Sequence, residues 1–250
     1  MRITVLSENT TASNELGCEH GLSLYIETKQ HKVLFDTGAS DLFARNADQM
    51  GIDLAQIDYA VISHGHHDHG GGLKTFLTLN QKAPVYFQNN AFEPHYSIRH
   101  NGETAFIGLD PALLPNERFV FCGDSYSINE TLTLFSGIEH QDPIPSSNSN
   151  LLLKRGDALV PDDFSHEQNL ILWEDGSSVL IAGCAHNGIT NSIRRFERET
   201  GRLPDVVIGG FHLYSPGANN GEDPAVVAQL GAQLLQFPTQ YYTCHCTGLE

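Results

Sequence analysis

One short segment limits the possible folds and functions of this chain more than any other. Residues Ala60–Leu73 read AVISHGHHDHGGGL, an apolar run of strand character followed by clustered histidines, an aspartate and a run of glycines. Because glycine lets the backbone turn tightly, the turn can aim His64 and His66 at one point and Asp68 and His69 at a second point nearby. Neutral imidazoles and a carboxylate suit zinc, and also iron or manganese. The segment therefore predicts a metal site on a loop that follows a strand.

Length and charge narrow the classes of partner. The chain has 250 residues, of which 40% are hydrophobic, and this fits one globular domain over residues 1–250. Its formal net charge of −16 repels phosphate backbones and argues against a nucleic-acid partner. No apolar stretch approaches the roughly eighteen residues of a membrane helix, and the first residues lack the apolar core of a signal peptide. We therefore expect a soluble cytoplasmic protein with a small-molecule partner and no membrane partner, and the oligomeric state stays open.

Cysteine usage argues against a fold held by disulfides. The five cysteines are widely spaced and odd in number, and a chain of this length can form a core without cross-links. They are Cys18, Cys122, Cys184, Cys244 and Cys246. We expect them to act as thiols, either in packing or as ligands.

Alternating strand and helix patterns predict an α/β fold. Apolar runs of strand length occur at Ile3–Leu6, Leu22–Ile26, Val33–Phe35, Tyr59–Ile62, Val85–Phe87, Leu132–Phe135, Leu151–Leu153, Leu170–Trp173, Val179–Ala182 and Val206–Ile208. Helical patterns run from Ser40, as N-cap, to Met50, over Gly188–Glu199, and from Asp223, as N-cap, to about Phe237. This order favours two packed sheets flanked by helices. The polar, proline-bearing segment Ile138–Asn150 predicts a surface loop of the kind that covers active sites.

The H-x-H-x-D-H spacing of residues 64–69 resembles the signature of the metallo-β-lactamase superfamily. The resemblance implies a four-layer αββα sandwich that holds two divalent ions, zinc first and manganese or iron as alternatives, with Asp68 serving in catalysis as well as in metal binding. Upstream, Val33–Gly38 reads VLFDTG and resembles the superfamily's first motif. That match implies that Asp36 orients a ligand histidine through a hydrogen bond. The alternative is a turn aspartate that caps the helix after Ser40.

Two later motifs supply the remaining ligands that the resemblance implies. In the segment VLIAGCAHNGI, Cys184 stands where the superfamily has a bridging aspartate, and His186 follows two residues later. A bridging thiolate would compete with the hydroxide needed for hydrolysis, so we favour His186, while Cys184 stays open as a ligand or as a buried apolar residue. His166 competes with His186, and Asp162, Asp163 and Glu167 would then be its hydrogen-bond partners.

The last motif, YYTCHCTG, matches the histidine that completes the second metal site, here His245. Cys244 and Cys246 flank this histidine. On an extended backbone their sulfurs should point away from His245, so packing is their expected role.

Four sequence motifs narrow the resemblance to one branch of the superfamily: SHGHHDHGGGL, GCAHNGI, GGFHL and HCTG. Together they resemble the branch of dihydropterin-methyl-(ribofuranosyl)aminobenzene-phosphate synthase-like metal-dependent hydrolases, within β-lactamase superfamily II. The resemblance implies that His212 lies near the metals and donates a hydrogen bond to the substrate or leaving group. It also implies that Asn89, His95 and Arg99 line the substrate pocket, where Arg99 could clamp a phosphate.

The expected activity is hydrolysis by a hydroxide held on a dinuclear metal site, with a phosphate-bearing small molecule as substrate. The first alternative is a pterin-type transferase, since the family name implies condensation at an activated pterin. A di-iron oxidoreductase is a further alternative, although such relatives carry a flavin domain and use carboxylates where Cys184 stands. A non-catalytic metal module is disfavoured, because loss of ligand residues would be its expected mark.

Overall fold

The computed structural model describes residues 1–215 and 220–248. The chain groups into two compact units, each formed by two stretches of sequence. The first unit comprises Met1–Glu93 and Ile107–Gly123, and the second comprises Pro94–Phe106 and Asp124–Glu250. The single domain expected over residues 1–250 stays a prediction.

The first unit is a six-stranded sheet with three helices. In spatial order its strands are β1 (Arg2–Ser7), β2 (Ser23–Glu27), β3 (Lys32–Phe35), β4 (Tyr59–Val61), β5 (Val85–Gln88) and β8 (Phe119–Cys122). Its helices are α1 (Leu42–Gln49), α2 (His67–Gly70) and α3 (Leu73–Leu79). Strands β3, β4, β5 and β8 run parallel to one another, so their carboxyl ends share one edge of the sheet. Ligands of open parallel sheets bind at that edge.

The second unit contains a second six-stranded sheet and a smaller four-stranded one. The larger sheet has the order β18 (Gln240–Thr243), β15 (Val206–Gly209), β14 (Ser177–Ile181), β13 (Asn169–Glu174), β10 (Leu132–Phe135) and β9 (Ser125–Ser127). The smaller sheet has the order β12 (Ala158–Pro161), β11 (Leu151–Arg155), β6 (His95–Ile98) and β7 (Thr104–Phe106). A short pair, β16 (Tyr214–Ser215) and β17 (Asn220–Gly221), and helices α4 (Ile189–Thr200) and α5 (Pro224–Leu234) complete the unit.

Each unit has its own hydrophobic core. In the first unit, Phe43 of α1 and Phe76 of α3 are fully buried against apolar residues of the sheet, such as Phe87. In the second unit, Ile193 and Phe196 project from one face of α4 into the core, as their helical spacing predicts. These cores hold the strand ends in place, and the polar clusters described below lie on the loops that follow those ends.

The predicted elements agree with the structure except at some boundaries. Every apolar run predicted as a strand overlaps a strand. The first helix has Asp41, not Ser40, at its N-cap position, although the Ser40 hydroxyl accepts a hydrogen bond from the N–H of Leu42 (3.1 Å). The last helix begins as predicted after Asp223, whose side chain accepts the N–H of Ala225, but it ends at Leu234. Of the predicted loop at 138–150, residues 146–150 form a 3-10 turn, so its end is ordered by its own backbone.

None of the helices in the described ranges combines the length and the apolar character needed to cross a membrane.

The cysteines differ sharply in exposure, and this predicts a simple labelling pattern. All five are thiols, Cys18 is exposed, and burial raises the pKa of the Cys122 thiol to about 11. Because the thiolate is the reactive form, iodoacetamide should modify Cys18 in the folded protein and leave Cys122 unmodified until the chain is denatured. Peptide mass spectrometry after timed alkylation, with and without guanidinium, measures both rates. Equal rates at Cys18 and Cys122 in the folded protein would contradict the burial of Cys122.

Candidate functional site

Three histidines of the first unit converge just beyond the carboxyl end of β4. His64, His66 and His69 are almost completely buried, at 0%, 4% and 0% exposure. The ring of His64 lies with its centroid 4.6 Å from that of His66 and 4.1 Å from that of His69. The structure thus brings together the histidines that the sequence selects. The fourth histidine of this segment, His67, is exposed.

A single buried carboxylate fixes the orientation of two of these rings. Asp36 Oδ2 lies 2.7 Å from His69 Nδ1 and accepts the hydroxyl proton of Ser63, also at 2.7 Å. The Ser63 oxygen in turn lies 2.8 Å from His64 Nδ1. Since a serine hydroxyl has only one proton and gives it to Asp36, its oxygen must accept a proton from His64. Both rings are therefore protonated at Nδ1 and present Nε2 as the lone-pair atom.

Ser63 is a further member of this network, and it was not selected from the sequence. Its backbone N–H also donates to Asp36 Oδ1, at 2.7 Å, so it is held to this carboxylate at two points. A serine directly after a strand and directly before a ligand histidine was the available signal.

Asp68 lies at the solvent side of the same cluster. Its Oδ2 is 3.6 Å from His69 Nε2 and 3.2 Å from His20 Nε2. Two backbone hydrogen bonds hold this part of the chain. The carbonyl of Asp68 accepts the N–H of Leu22 (3.1 Å), and the carbonyl of His69 accepts the N–H of Thr37 (2.7 Å). Asp68 is thus placed to contact a metal held by His69.

In the second unit, His186 is buried and its ring is held on two sides. Its Nδ1 lies 2.8 Å from Asn148 Oδ1, and its ring stacks on Phe164 with centroids 4.8 Å apart. Because the amide oxygen of Asn148 is an acceptor, Nδ1 carries the proton and Nε2 is the atom available for ligation. Asn148 belongs to the predicted loop at 138–150, and its role could not be read from the sequence.

The turn that carries His186 is fixed by Glu167. This buried carboxylate accepts the N–H groups of His186 (2.6 Å) and Asn187 (3.0 Å) and the side-chain amide of Asn187 (2.7 Å). Burial raises the pKa of Glu167, although these donors oppose the rise. Glu167 was expected to be a partner of His166, whereas its carboxylate binds the backbone of His186.

His166, the competitor of His186, belongs to a separate buried group. Asp162 Oδ2 lies 2.9 Å from His95 Nδ1 and 3.4 Å from His166 Nε2, and the two rings are 4.0 Å apart. Burial lowers the pKa of His166, with Asp162 acting in the opposite direction. Donor atoms of the three residues lie within 4.8 Å of one another, so His166 stays a candidate ligand. Asp163, by contrast, pairs with Arg155 at the surface.

The third group of the second unit contains two sulfurs. Ligand atoms of Cys184, His245 and Cys246 lie within 4.8 Å of one another, and so do those of Cys184, His186 and His212. The expectation that Cys246 points away from His245 is wrong, because the chain is not extended there. His245 has φ 51° and begins a 3-10 turn over His245–Thr247, which brings the two side chains together.

The thiol of Cys246 lies in an unusual electrostatic setting. Burial raises its pKa, but a hydrogen bond with Cys184 and the neighbouring imidazoles of His245 and His212 outweigh burial and bring the pKa well below its usual range. His212 is itself 7% exposed. Neither of its ring nitrogens has a hydrogen-bond partner among the described residues. Such a group is suited to binding a ligand.

The proposed substrate contacts are more scattered. His95 is buried and held by Asp162, as described above. Arg99 is exposed next to β6, and Asn89 is exposed directly after β5. Their roles as substrate contacts stay predictions.

Comparison with known proteins agrees with this picture. Residues 16–221 match the family model of the metallo-β-lactamase superfamily. The 7,8-dihydropterin-6-methyl-4-(β-D-ribofuranosyl)-aminobenzene-5′-phosphate synthase of Methanocaldococcus jannaschii is 24% identical, over 100% of this chain and 88% of that protein. An uncharacterized protein of the same organism is 28% identical, over 99% of this chain and 91% of that protein. A crystal structure described as a metal-dependent hydrolase of the β-lactamase superfamily is 29% identical, with a TM-score of 0.81, and the match covers 98% of this chain and 88% of that one.

This chain belongs to the metallo-β-lactamase superfamily. The structural match confirms the fold class predicted from the sequence, an α/β fold of the metallo-β-lactamase type. Members of this superfamily are usually metal-dependent hydrolases. The similarity to the synthase confirms the resemblance to the pterin-synthase-like branch.

The residues present fit a divalent metal ion. Buried imidazoles whose Nδ1–H donates a hydrogen bond to a protein acceptor, which fixes the tautomer, are the usual form of histidine ligands. His64 and His69 have this arrangement in the first unit, and His186 has it in the second. An aspartate, Asp68, stands beside His69. The donor set is therefore that of a zinc-type site, and iron or manganese would also accept it.

Proposed function

We propose that this chain is a metal-dependent hydrolase that acts on a small molecule bearing a phosphate group. The main support is the network around Asp36, in which one buried carboxylate sets the tautomers of His64 and His69 through direct contact and through Ser63. Buried polar clusters are costly to form. Metal coordination would stabilise these buried imidazoles, whereas packing alone would not offset that cost.

The proposed cofactor is a pair of divalent ions, zinc first and manganese or iron as alternatives. The proposed ligands are His64, His66, Asp68, His69, His186 and His245. When bound, such ions lower the pKa of water and polarise the bond under attack.

The protein's own residues then have separable tasks. Asp36 and Ser63 keep His64 and His69 in one tautomer. Asn148 does the same for the ring of His186, and Glu167 holds the backbone of His186 in place. His212 is proposed to donate a hydrogen bond to the leaving oxygen, since its buried ring nitrogens have no hydrogen-bond partner among the described residues. The net charge of −16 repels anions elsewhere on the chain, so a phosphate group should bind where metals reverse the local field.

A pterin-type transferase is the second candidate. It is supported by the synthase of Methanocaldococcus jannaschii, which matches this chain over its whole length. The two candidates differ in the acceptor, which is water for a hydrolase and an aryl compound for a transferase.

The metal-stripped protein should show no turnover, and zinc or manganese should restore hydrolysis of bis-aryl phosphates or pyrophosphate compounds, because the ions activate the water. The assay compares these substrates with a lactone and a chromogenic β-lactam, each with and without an aryl-amine acceptor. Elemental analysis of the same samples gives metal content and separates zinc from iron. Product formation that requires the acceptor would favour the transferase. Fast β-lactam or lactone cleavage without phosphate chemistry would overturn the proposed substrate class.

A further inference from the structure

Three neighbouring parallel strands of the second unit end at one place. β14 and β15 are parallel, and so are β15 and β18. Cys184 follows β14, His212 follows β15, and the pair His245 and Cys246 follows β18. Because parallel strands present their carboxyl ends at the same edge, these loops place two sulfurs and two imidazoles side by side.

The position of Cys246 is tightly determined. Its Sγ accepts the N–H of His212 at 3.3 Å, and a Cβ at Gly210 would lie only 2.4 Å from it, so a glycine is required there. Ala185, His212 and His245 have φ of 49°, 49° and 51°, the left-handed region that non-glycine residues rarely adopt. Such conformations cost energy and occur most often at functional sites.

Packing alone does not account for this group. A buried cysteine commonly serves as a small apolar residue, and it needs no polar partner in that role. Here both cysteines are 2% exposed, and their sulfurs share a 4.8 Å cluster with a ligand atom of His245. The ring of His212, whose nitrogens have no partner among the described residues, lies beside the same sulfur of Cys184.

We propose that Cys184, Cys246 and His245 bind a zinc-type ion as terminal ligands. Thiolates are soft ligands that favour zinc over manganese or magnesium, so this group selects the metal. Both cysteines bind as thiolates, and any proton that a thiol still carries is released to solvent on binding. The inference rests on the proposed metal-dependent function and deepens it, because it adds Cys184 and Cys246 as ligands and names the metal class.

Cobalt(II) is a suitable probe, because sulfur-to-cobalt charge transfer gives a near-ultraviolet band that oxygen and nitrogen ligands do not give. The reduced, metal-stripped protein should develop this band on titration with cobalt. Cys184→Ser and Cys246→Ser should each lose about half of its intensity, one of two thiolates. Cys122→Ser, which alters a buried cysteine of the other unit, should keep the full band. Cobalt uptake without the band, or a full band in Cys246→Ser, would overturn the inference.

A second measurement needs no substitution and so does not depend on the folding of a variant. X-ray absorption of the zinc-loaded protein should show a sulfur shell at about 2.3 Å in addition to nitrogen and oxygen at about 2.0–2.2 Å. Bound zinc without a sulfur shell, in a protein that still hydrolyses phosphate compounds, would overturn the thiolate site and leave the proposed function standing. Failure to bind zinc or cobalt at all would overturn both.

Discussion

Asp36→Asn should weaken metal binding by about 10–100-fold, although Asp36 is not itself a proposed ligand. The asparagine must keep its oxygen towards the N–H of Ser63, so its NH₂ group replaces the Oδ2 that now faces Ser63 Oγ and His69 Nδ1. His69 Nδ1 then becomes an acceptor, and Ser63 turns its proton towards His64. Both rings are left protonated at Nε2, the atom needed for ligation.

The measurement is competition for zinc with a chromophoric chelator, together with turnover of a phosphodiester. A comparable change of an exposed aspartate in the same unit, Asp53→Asn, is the control. Asp53 accepts the N–H of Ala55 at the surface and should leave metal affinity unchanged. Wild-type affinity in Asp36→Asn would contradict the tautomer argument, even if the variant lost activity for another reason.

The sequence predicted best where the relevant residues are close along the chain. His64, His66 and His69 follow one strand and lie within six residues, so their convergence depends only on a local turn. Asp36 is 27 residues away from Ser63, yet it follows the parallel strand next to β4, and the resemblance to a known motif identified it. The element pattern was predictable for the same reason, since hydrophobic periodicity is local.

The predictions failed or were incomplete where distant loops meet. Nothing in the segment at 138–150 indicated that Asn148 would bind a histidine 38 positions later. Cys246 was misjudged because an extended backbone was assumed at a residue next to His245, whose φ is positive. A left-handed histidine has no reliable sequence signature, because only glycine adopts that conformation without strain. The partners of Glu167 were likewise set by tertiary packing.

Gly72→Ala should lower the free energy of unfolding by about 3 kcal/mol, the upper end of the usual cost of overpacking. A Cβ at this position would lie 2.3 Å from the carbonyl oxygen of Thr37 and 2.6 Å from that of Ser40. Both contacts are with backbone, which cannot move aside as the end of a flexible side chain can. Gly123→Ala is the matched control, since nothing lies within 4 Å of its added Cβ, and its stability should change by no more than about 1 kcal/mol.

The same substitution also tests how the metal ligands are held. The loop after β3 and the turn after His69 are joined by two backbone hydrogen bonds, from Thr37 N to the carbonyl of His69 (2.7 Å) and from Gly72 N to the carbonyl of Gly38 (3.3 Å). An added methyl group wedges these segments apart, and it thereby separates Asp36 from His69. Urea unfolding of the metal-free protein measures the stability loss, and chelator competition measures the expected fall in zinc affinity. If Gly72→Ala unfolds early but binds zinc as tightly as the wild type, the loop contact supports the fold alone, and the contact between Asp36 and His69 does not depend on it.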